Sequence, residues 1–347
     1  MKTKAAVLVE TGKPLELLEI EIPSLKPGQV LVDIAFSGIC HTQILECRGY
    51  RGEDKYLPHC LGHEGSGVVR EVGEGVTKVK PGDKVILSWM KGSGADVPGT
   101  VYGWGENKVN SGGITTFSRQ SVISENRLTA IDKDIPMEEA AMLGCAAATG
   151  LGSVLNVARP SQGQSLAVFG IGGIGLCAVA GAVIAGCSKV IAVDINEEKF
   201  KLAKEMGATH LINAAKSNPA MEINKICPNL DFAVESSGVP DVMAQALESV
   251  RNQGGTAVII GNARYGEKLC IDPRQLNMGK RLFGTWGGDN VPDKHFPYYM
   301  ELISSGRLNL KPLMKKYNLE DINKAIDDLE EGKAIRPLVD MELTDKK

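Results

Sequence analysis

Two cysteines and a histidine, far apart along the chain, carry the side chains best suited to chemistry. They are Cys40, His63 and Cys145. Two thiolates and one imidazole suit Zn²⁺, which prefers such ligands in tetrahedral geometry. Three protein ligands leave a fourth position open, which is typical of a catalytic rather than a structural zinc site. A lone cysteine is more often a small core residue, so no single one of these positions decides the matter.

A glycine-rich turn is the second candidate site. Its residues are Gly170, Gly172, Gly173, Ile174 and Gly175, and they lie between a predicted strand and a predicted helix. In that context glycines permit a tight turn, close approach of the backbone to a pyrophosphate and close packing of the helix on the strand. The start of the helix then presents N–H groups to the phosphates. The turn therefore predicts a dinucleotide site.

Asp194 ends the next predicted strand, 24 positions after Gly170. A carboxylate there accepts hydrogen bonds from the ribose hydroxyls and repels a 2′-phosphate, so it favours NAD over NADP. Lys199 reaches the same ribose in one interpretation and is a plain surface lysine in the other. A solvated aspartate at the end of a strand is the alternative for Asp194.

The elements that must position these residues change in character along the chain. Before residue 148 the chain is β-rich and irregular, with a loop expected at 98–113 and strands at 5–10, 30–36, 67–72 and 84–87. Later, short apolar strands alternate with helices, which indicates a parallel sheet covered by helices. These strands are predicted at 165–169, 189–193, 210–214, 232–236, 256–260 and 282–286. Six strands match a doubly wound α/β dinucleotide fold.

Composition limits the possible partners. The 347 residues suggest about two domains, and 43% hydrophobic with 23% charged residues is ordinary for a globular protein. The 39 basic residues nearly balance the 42 acidic ones, so neither a nucleic acid nor a membrane surface is an expected partner. The N-terminus lacks a signal-peptide pattern, and the apolar stretch at 176–185 is too short to span a bilayer. We expect a cytoplasmic protein whose eight cysteines are thiols or metal ligands.

Seven short motifs follow one another along nearly the whole chain. They are GICHT at 38–42, GHEGSG at 62–67, PGDKV at 81–85, GCAAATG at 144–150, FGIGGIG at 169–175, VDINEEK at 193–199 and IRPLV at 335–339. In order and spacing they resemble the zinc-dependent alcohol dehydrogenases of the medium-chain dehydrogenase/reductase superfamily. The CHT and VDINEEKF segments are most similar to the class III, glutathione-dependent formaldehyde dehydrogenase branch. The resemblance implies a GroES-like β-rich catalytic domain at 1–148, a Rossmann domain at 149–288 and a return to the catalytic domain at 289–347.

The resemblance also implies a mechanism. Cys40, His63 and Cys145 would bind one catalytic zinc, which acts as a Lewis acid towards the substrate oxygen. Glu64 matches a transient zinc ligand. Thr42 matches the hydroxyl that contacts the alcohol and starts the removal of its proton.

Four further positions match family residues that contact the cofactor or the substrate. His41 and Arg336 match contacts to the cofactor pyrophosphate, and Thr149 matches a residue beside the nicotinamide. Trp89 falls at a substrate-pocket position, with simple core packing as the alternative. The expected cofactors are therefore zinc and NAD, and the expected substrate is a small alcohol or, in reverse, an aldehyde or ketone.

Two departures from the family pattern change these expectations. Many relatives bind a structural zinc through four closely spaced cysteines, but no cysteine lies between Cys60 and Cys145 here, so one zinc per chain is predicted. Leu45 occupies the place of a histidine that passes the proton to solvent in many relatives. Gln43 replaces a common aspartate, which predicts looser support of the metal.

Assembly and substrate leave alternatives open. The family commonly dimerises through the sixth strand of the nucleotide domain, and the edge at 282–286 suits this, so a homodimer or homotetramer is expected. A dehydrogenase of polyols, sugars or cyclitols is the alternative within enzymes. A protein that binds NAD(H) without catalysis is the alternative outside them.

Overall fold

The protein is described here by a computed structural model that covers residues 1–342. Its internal contacts divide the chain into two compact units. Unit 1 contains Met1–Cys145 and the chain from Val291 onward, and unit 2 contains Ala146–Asn290. The sequence predicts domains at 1–148, 149–288 and 289–347. These limits stay a prediction.

The first part of unit 1 is rich in strands. Its elements are β1 (Lys2–Leu8), β2 (Glu16–Glu21), β3 (Gln29–Gly38), α1 (His41–Cys47), β4 (His59–Cys60), β5 (Glu64–Val72), β6 (Lys84–Ser88), β7 (Val101–Trp104), β8 (Asn107–Ser111), β9 (Gln120–Ser124), β10 (Leu128–Ala130) and α2 (Met137–Leu143). Strands β1, β2, β7, β8 and β4 close into a barrel. Val7, Ile20 and Tyr102 belong to one buried apolar cluster there, since alternate residues of each strand face inward.

The loop expected at 98–113 is wrong, because β7 and β8 form an antiparallel hairpin there. Gly105, with φ of +57°, and Glu106 make the turn between the two strands. Tyr102 lies opposite Val109, and both side chains are buried. The many glycines and polar residues of the segment concealed this apolar pair, which packs into the apolar cluster of the barrel that the hairpin helps to form.

Unit 2 alternates strands and helices. Its elements are α3 (Ala146–Gly152), β11 (Ser165–Phe169), α4 (Gly173–Ile184), β12 (Lys189–Asp194), α5 (Phe200–Glu205), β13 (His210–Asn213), α6 (Pro219–Ile226), β14 (Phe232–Glu235), α7 (Pro240–Ser249), β15 (Thr256–Ile259), α8 (Pro273–Asn277) and β16 (Arg281–Gly284). The six strands are all parallel, in the order β13-β12-β11-β14-β15-β16. This order is that of the doubly wound dinucleotide fold, which confirms the predicted fold class.

The C-terminal segment returns to unit 1. Its elements are α9 (Pro292–Ser304), β17 (Met314–Tyr317), α10 (Ile322–Glu330) and β18 (Arg336–Asp340). β18 joins a seven-stranded sheet in the order β10-β6-β5-β3-β18-β17, in which β9 also pairs with β3. At the end of β3, Ser37 lies opposite Gly65 of β5 and Gly38 lies opposite Leu338 of β18. The starts of β5 and β18 therefore flank the point where β3 leads into α1.

Within residues 1–342, no single helix has both the length and the apolar character needed to cross a membrane. One broken pair of successive helices, α2 and Ala146–Ala158, meets that test by length and composition alone.

Gly175 lies in the first turn of α4, where the helix packs against its own entry turn. A Cβ at this position would lie 1.9 Å from the carbonyl oxygen of Gly170, whereas a Cβ at Gly172 would meet nothing within 4 Å. We expect Gly175→Ala to lower the free energy of unfolding by about 3 kcal/mol, because rigid backbone blocks the new methyl group. Gly172→Ala is the matched control and should melt like the parent. Thermal unfolding of both variants checks this, and equal melting temperatures would contradict it.

Candidate metal centre and cofactor site

Cys40, His63 and Cys145 lie together in unit 1. One potential ligand atom from each lies within 4.8 Å of the other two, and both cysteines are buried. A hydrogen bond with Cys145 holds the pKa of the Cys40 thiol well below its usual range, and the neighbouring His63 and Arg336 lower it further. The thiolate is the form of cysteine that binds metal, so this donor set fits a zinc ion with one position left open.

The ends of three elements bring these ligands together. Cys40 caps the start of α1 directly after β3, and His63 directly precedes β5. Cys145 follows α2, whose C-cap Gly144 accepts a hydrogen bond of 2.7 Å from the Ser88 hydroxyl. A Cβ at Gly144 would lie 2.3 Å from the carbonyl oxygen of Leu87, so the approach of α2 to β6 requires glycine.

A buried ion pair lies beside the cysteines. The Arg336 guanidinium pairs with the Glu64 carboxylate, and both side chains are almost completely buried. Burial lowers the pKa of Arg336, while the neighbouring Cys40 sulfur favours the charged guanidinium. Arg336 therefore contacts a predicted ligand and a predicted transient ligand. Its predicted contact with the pyrophosphate and the predicted metal contact of Glu64 stay predictions.

The first turn of α1 holds two further predicted residues. The Thr42 hydroxyl lies 3.8 Å from the sulfur of Cys40, which places it beside the metal centre. His41 is exposed at the start of the helix. The proton-transfer role of Thr42 and the phosphate contact of His41 stay predictions.

Gln43 connects two of the three ligands. Its Oε1 accepts a hydrogen bond of 2.9 Å from the backbone N–H of Cys40, and its Nε2 lies 2.6 Å from Nδ1 of His63. The side chain is 1% exposed. The sequence flagged Gln43 only as the replacement of an aspartate, and it gave no sign of this double contact.

The glycine-rich turn of unit 2 joins β11 to α4. Gly170 has φ of +80°, a conformation that favours glycine, and Gly172 is the N-cap of α4. Gly173, Ile174 and Gly175 form the first turn of the helix. Within residues 1–342, no side chain caps this end, and a Cβ at Gly172 would meet nothing within 4 Å, so the start of the helix is open to a ligand. This cradle fits a pyrophosphate.

Asp194 ends β12 beside this turn. Its Oδ2 accepts a hydrogen bond of 2.9 Å from the backbone N–H of Ile171, and its Oδ1 accepts one of 2.9 Å from that of Asn196. The ammonium of Lys199 lies 3.2 Å from Oδ2. The structure thus brings both predicted ribose contacts to the glycine-rich turn. Asp194 also holds that turn in place, which was not expected.

Thr149 and Trp89, the residues predicted beside the nicotinamide and in the substrate pocket, lie in different environments. Thr149 lies in α3 of unit 2, and its buried Oγ1 has no hydrogen-bond partner among residues 1–342. An orphaned hydroxyl of this kind suits a polar ligand group such as the carboxamide of nicotinamide. Trp89 is half-buried and packs against the main apolar core of unit 1. Core packing was the alternative stated for Trp89, and its pocket role stays a prediction.

A cavity of about 420 Å³ lies beside His63. It is lined by Gln43, Glu46, Tyr56, His59, Cys60, Leu61, Gly62, His63, Gly99, Ser111, Gly112, Gly113 and Ile114. Burial raises the pKa of the Glu46 carboxyl, although Arg51, 2.9 Å away, opposes this. His59 lies 2.7 Å from Asp54. The sequence did not single out Glu46 or His59, since neither belongs to a motif.

Comparison with known families agrees with this geometry. The model of the alcohol dehydrogenase GroES-like domain matches residues 26–133, and that of the zinc-binding dehydrogenase matches residues 173–305. The chain belongs to the zinc-binding alcohol dehydrogenase family. It is a zinc-dependent oxidoreductase that transfers hydride between an alcohol and NAD.

Individual relatives extend the match over the whole chain. An S-(hydroxymethyl)glutathione dehydrogenase of Synechocystis sp. is 36% identical over 98% of this chain and 100% of its own. The crystal structure of an alcohol dehydrogenase zinc-binding domain protein from Burkholderia ambifaria has a TM-score of 0.92 and 31% identity, over 99% and 100% of the two chains. A benzyl alcohol dehydrogenase structure from Acinetobacter calcoaceticus has a TM-score of 0.90 and 29% identity, over 98% and 99%.

The metal centre gives a direct prediction. We expect Cys40→Ser to reduce the zinc content of the purified dehydrogenase from about one equivalent to below about 0.2, because a hydroxyl is a poor zinc ligand. Cys47→Ser is the matched control. Cys47 is buried on the same helix α1, and burial raises its pKa to about 12, so it stays a thiol. Atomic emission on both proteins checks this, and loss of zinc in the Cys47 variant alone would refute the assignment.

The nucleotide site gives a second prediction. Asp194→Ser should raise the ratio of kcat/KM for NADP over NAD by at least about tenfold, because the charge that repels a 2′-phosphate is gone. It should also cost about 1–3 kcal/mol of stability, since the N–H of Ile171 loses its acceptor. Glu197→Gln, which removes an exposed charge three positions later, is the control and should leave both quantities unchanged. An unaltered cofactor ratio in Asp194→Ser would show that selection lies elsewhere.

Proposed function

We propose that this dehydrogenase acts on small, uncharged alcohols that carry further hydroxyl groups, or on the corresponding carbonyl compounds. The observation that carries the proposal is the lining of the cavity beside His63. In the described part of the chain that lining contains one carboxylate, Glu46, and no lysine or arginine. Tyr56, His59 and Ser111 add groups that form hydrogen bonds with hydroxyls.

Charge separates this substrate class from the main alternative. The relatives named S-(hydroxymethyl)glutathione dehydrogenases act on a substrate that, as a glutathione adduct, bears two carboxylates. Two like charges about 8 Å apart repel by about 2 kcal/mol at an effective dielectric constant of about 20. Glu46 therefore adds a repulsive charge for such an adduct, and its ion pair with Arg51 at 2.9 Å offsets part of that repulsion. The names of the relatives favour the adduct, so it is the second candidate.

The proposed catalytic roles combine the family resemblance with the positions of the side chains. We assign zinc binding to Cys40, His63 and Cys145, whose potential ligand atoms lie within 4.8 Å of one another. Thr42, beside Cys40, is assigned the removal of the hydroxyl proton, which is the role that the resemblance implies. Arg336 holds positive charge beside Cys40 and pairs with Glu64.

Assembly through an edge strand is a further part of the proposal. Among residues 1–342, β16 pairs with β15 on one side only, and Phe283 and Trp286 expose large apolar surfaces there. An unpaired edge with apolar side chains favours pairing with a second copy, which supports a homodimer as the basic assembly. All eight cysteines are free thiols, which supports a cytoplasmic location.

A substrate panel tests the proposal. NADH formation is measured with simple primary alcohols, polyols and S-hydroxymethylglutathione. We expect kcat/KM to be highest for a polyol, and we expect Glu46→Gln to raise kcat/KM for the glutathione adduct about tenfold. A simple primary alcohol as the best substrate would contradict the proposed preference for further hydroxyl groups. Glu53→Gln, an exposed acid outside the cavity, is the control and should behave like the parent. If the glutathione adduct is the best substrate of the parent enzyme, the second candidate replaces the first.

A further inference from the structure

The Gln43 side chain faces two groups that belong to zinc ligands. One is the backbone N–H of Cys40, which can only donate a hydrogen bond. The other is Nδ1 of His63, which accepts or donates according to where the imidazole carries its proton. A glutamine amide has one acceptor end and one donor end, so it satisfies one donor and one acceptor.

The structure pairs both ends of the amide. Oε1 accepts from Cys40 at 2.9 Å, and Nε2 faces Nδ1 of His63 at 2.6 Å. With the amide nitrogen as the donor of this contact, Nδ1 is the acceptor, which requires the imidazole proton on Nε2. The Gln43 side chain that makes both contacts is 1% exposed.

Binding of zinc changes what His63 requires. Since Gln43 occupies Nδ1, Nε2 is the nitrogen left for the metal. A neutral imidazole that binds through Nε2 carries its proton on Nδ1, which then becomes a donor. Gln43 now faces two donors, and its single amide oxygen accepts from only one of them. Rotation of the amide moves its oxygen from one donor to the other. One of the two donors is still left without an acceptor.

We propose that Gln43 is a positioning residue that weakens the zinc site. Its amide pairs with both groups while Nδ1 of His63 accepts, and it loses one of these two hydrogen bonds once zinc at Nε2 makes Nδ1 a donor. A carboxylate at position 43 has two acceptor oxygens and satisfies both donors in the loaded state. This chain therefore holds its catalytic zinc less tightly than it would with a carboxylate there.

The test measures zinc affinity rather than turnover. Full-length Gln43→Glu and Gln43→Met are titrated with zinc against a chromophoric chelator at fixed pH, and the melting temperature of each metal-free protein is recorded in parallel. Partners of metal ligands typically change affinity by about 10–100-fold. We expect Gln43→Glu to bind zinc about tenfold more tightly than the parent, and Gln43→Met about tenfold more weakly.

Gln29 supplies a matched control. It is also a buried glutamine of unit 1, with its Oε1 on the backbone N–H of Lys26 at 2.9 Å and its Nε2 on Thr100 at 3.2 Å. Gln29→Glu should alter the metal-free melting temperature without changing zinc affinity. A gain in affinity at position 43 alone supports the proposal, because a purely structural role gives no gain.

A second variant covers the case in which Gln43→Glu does not fold. Gln43→Asp carries the same two acceptor oxygens on a shorter side chain. Tighter zinc binding by either acidic variant supports the proposal. Affinity equal to or below that of the parent in every acidic variant that folds overturns it. The substrate panel does not enter this measurement, so the proposed substrate class stands or falls separately.

Discussion

The metal centre depends on the register of three strands. The end of β3 lies between the starts of β5 and β18, and the backbone N–H of Ile39 donates a hydrogen bond of 3.0 Å to the carbonyl of Pro337. Cys40 follows β3, and His63 precedes β5. A slip of one residue in either pairing would turn these side chains to the opposite face of the sheet. The sheet therefore brings residues that are distant in the sequence together as candidate metal ligands.

A buried ion pair reinforces this register. Glu64 on β5 and Arg336 on β18 reach across β3 to each other, and a Cβ at Gly38 between them would lie 2.1 Å from the Glu64 carboxylate. Removing one partner of such a pair typically costs about 3–5 kcal/mol, although the intact pair contributes little net stability. The guanidinium also lies near Cys40, where it adds to the lowering of the thiol's pKa that the hydrogen bond with Cys145 dominates. Two apolar residues of similar volume would stabilise the fold at least as well. We therefore attribute the buried charges to the metal centre rather than to stability.

Local patterns in the sequence were enough to predict the nucleotide unit. The predicted strand at 165–169 matches β11, and Asn196 caps the turn before α5 through its hydrogen bond with the N–H of Glu198. The hairpin of β7 and β8 was not predicted, because its stability comes from burial of Tyr102 against the barrel rather than from its own composition. The double contact of Gln43 was equally out of reach. It joins residues 20 positions apart, and only the pairing of β3 with β5 brings them together.

Helix α1 links the metal to the cavity. Gln43 and Glu46 are three residues apart, so they lie on one face of the helix, and both line the cavity. Leu45 lies on a different face and is half-buried, and its hydrocarbon side chain has no group that donates or accepts a proton. Because Cys40 caps the same helix, a shift of α1 would move a ligand, the support of His63 and the acidic group of the cavity together. The ligand set and the lining of the cavity therefore depend on the placement of one seven-residue helix.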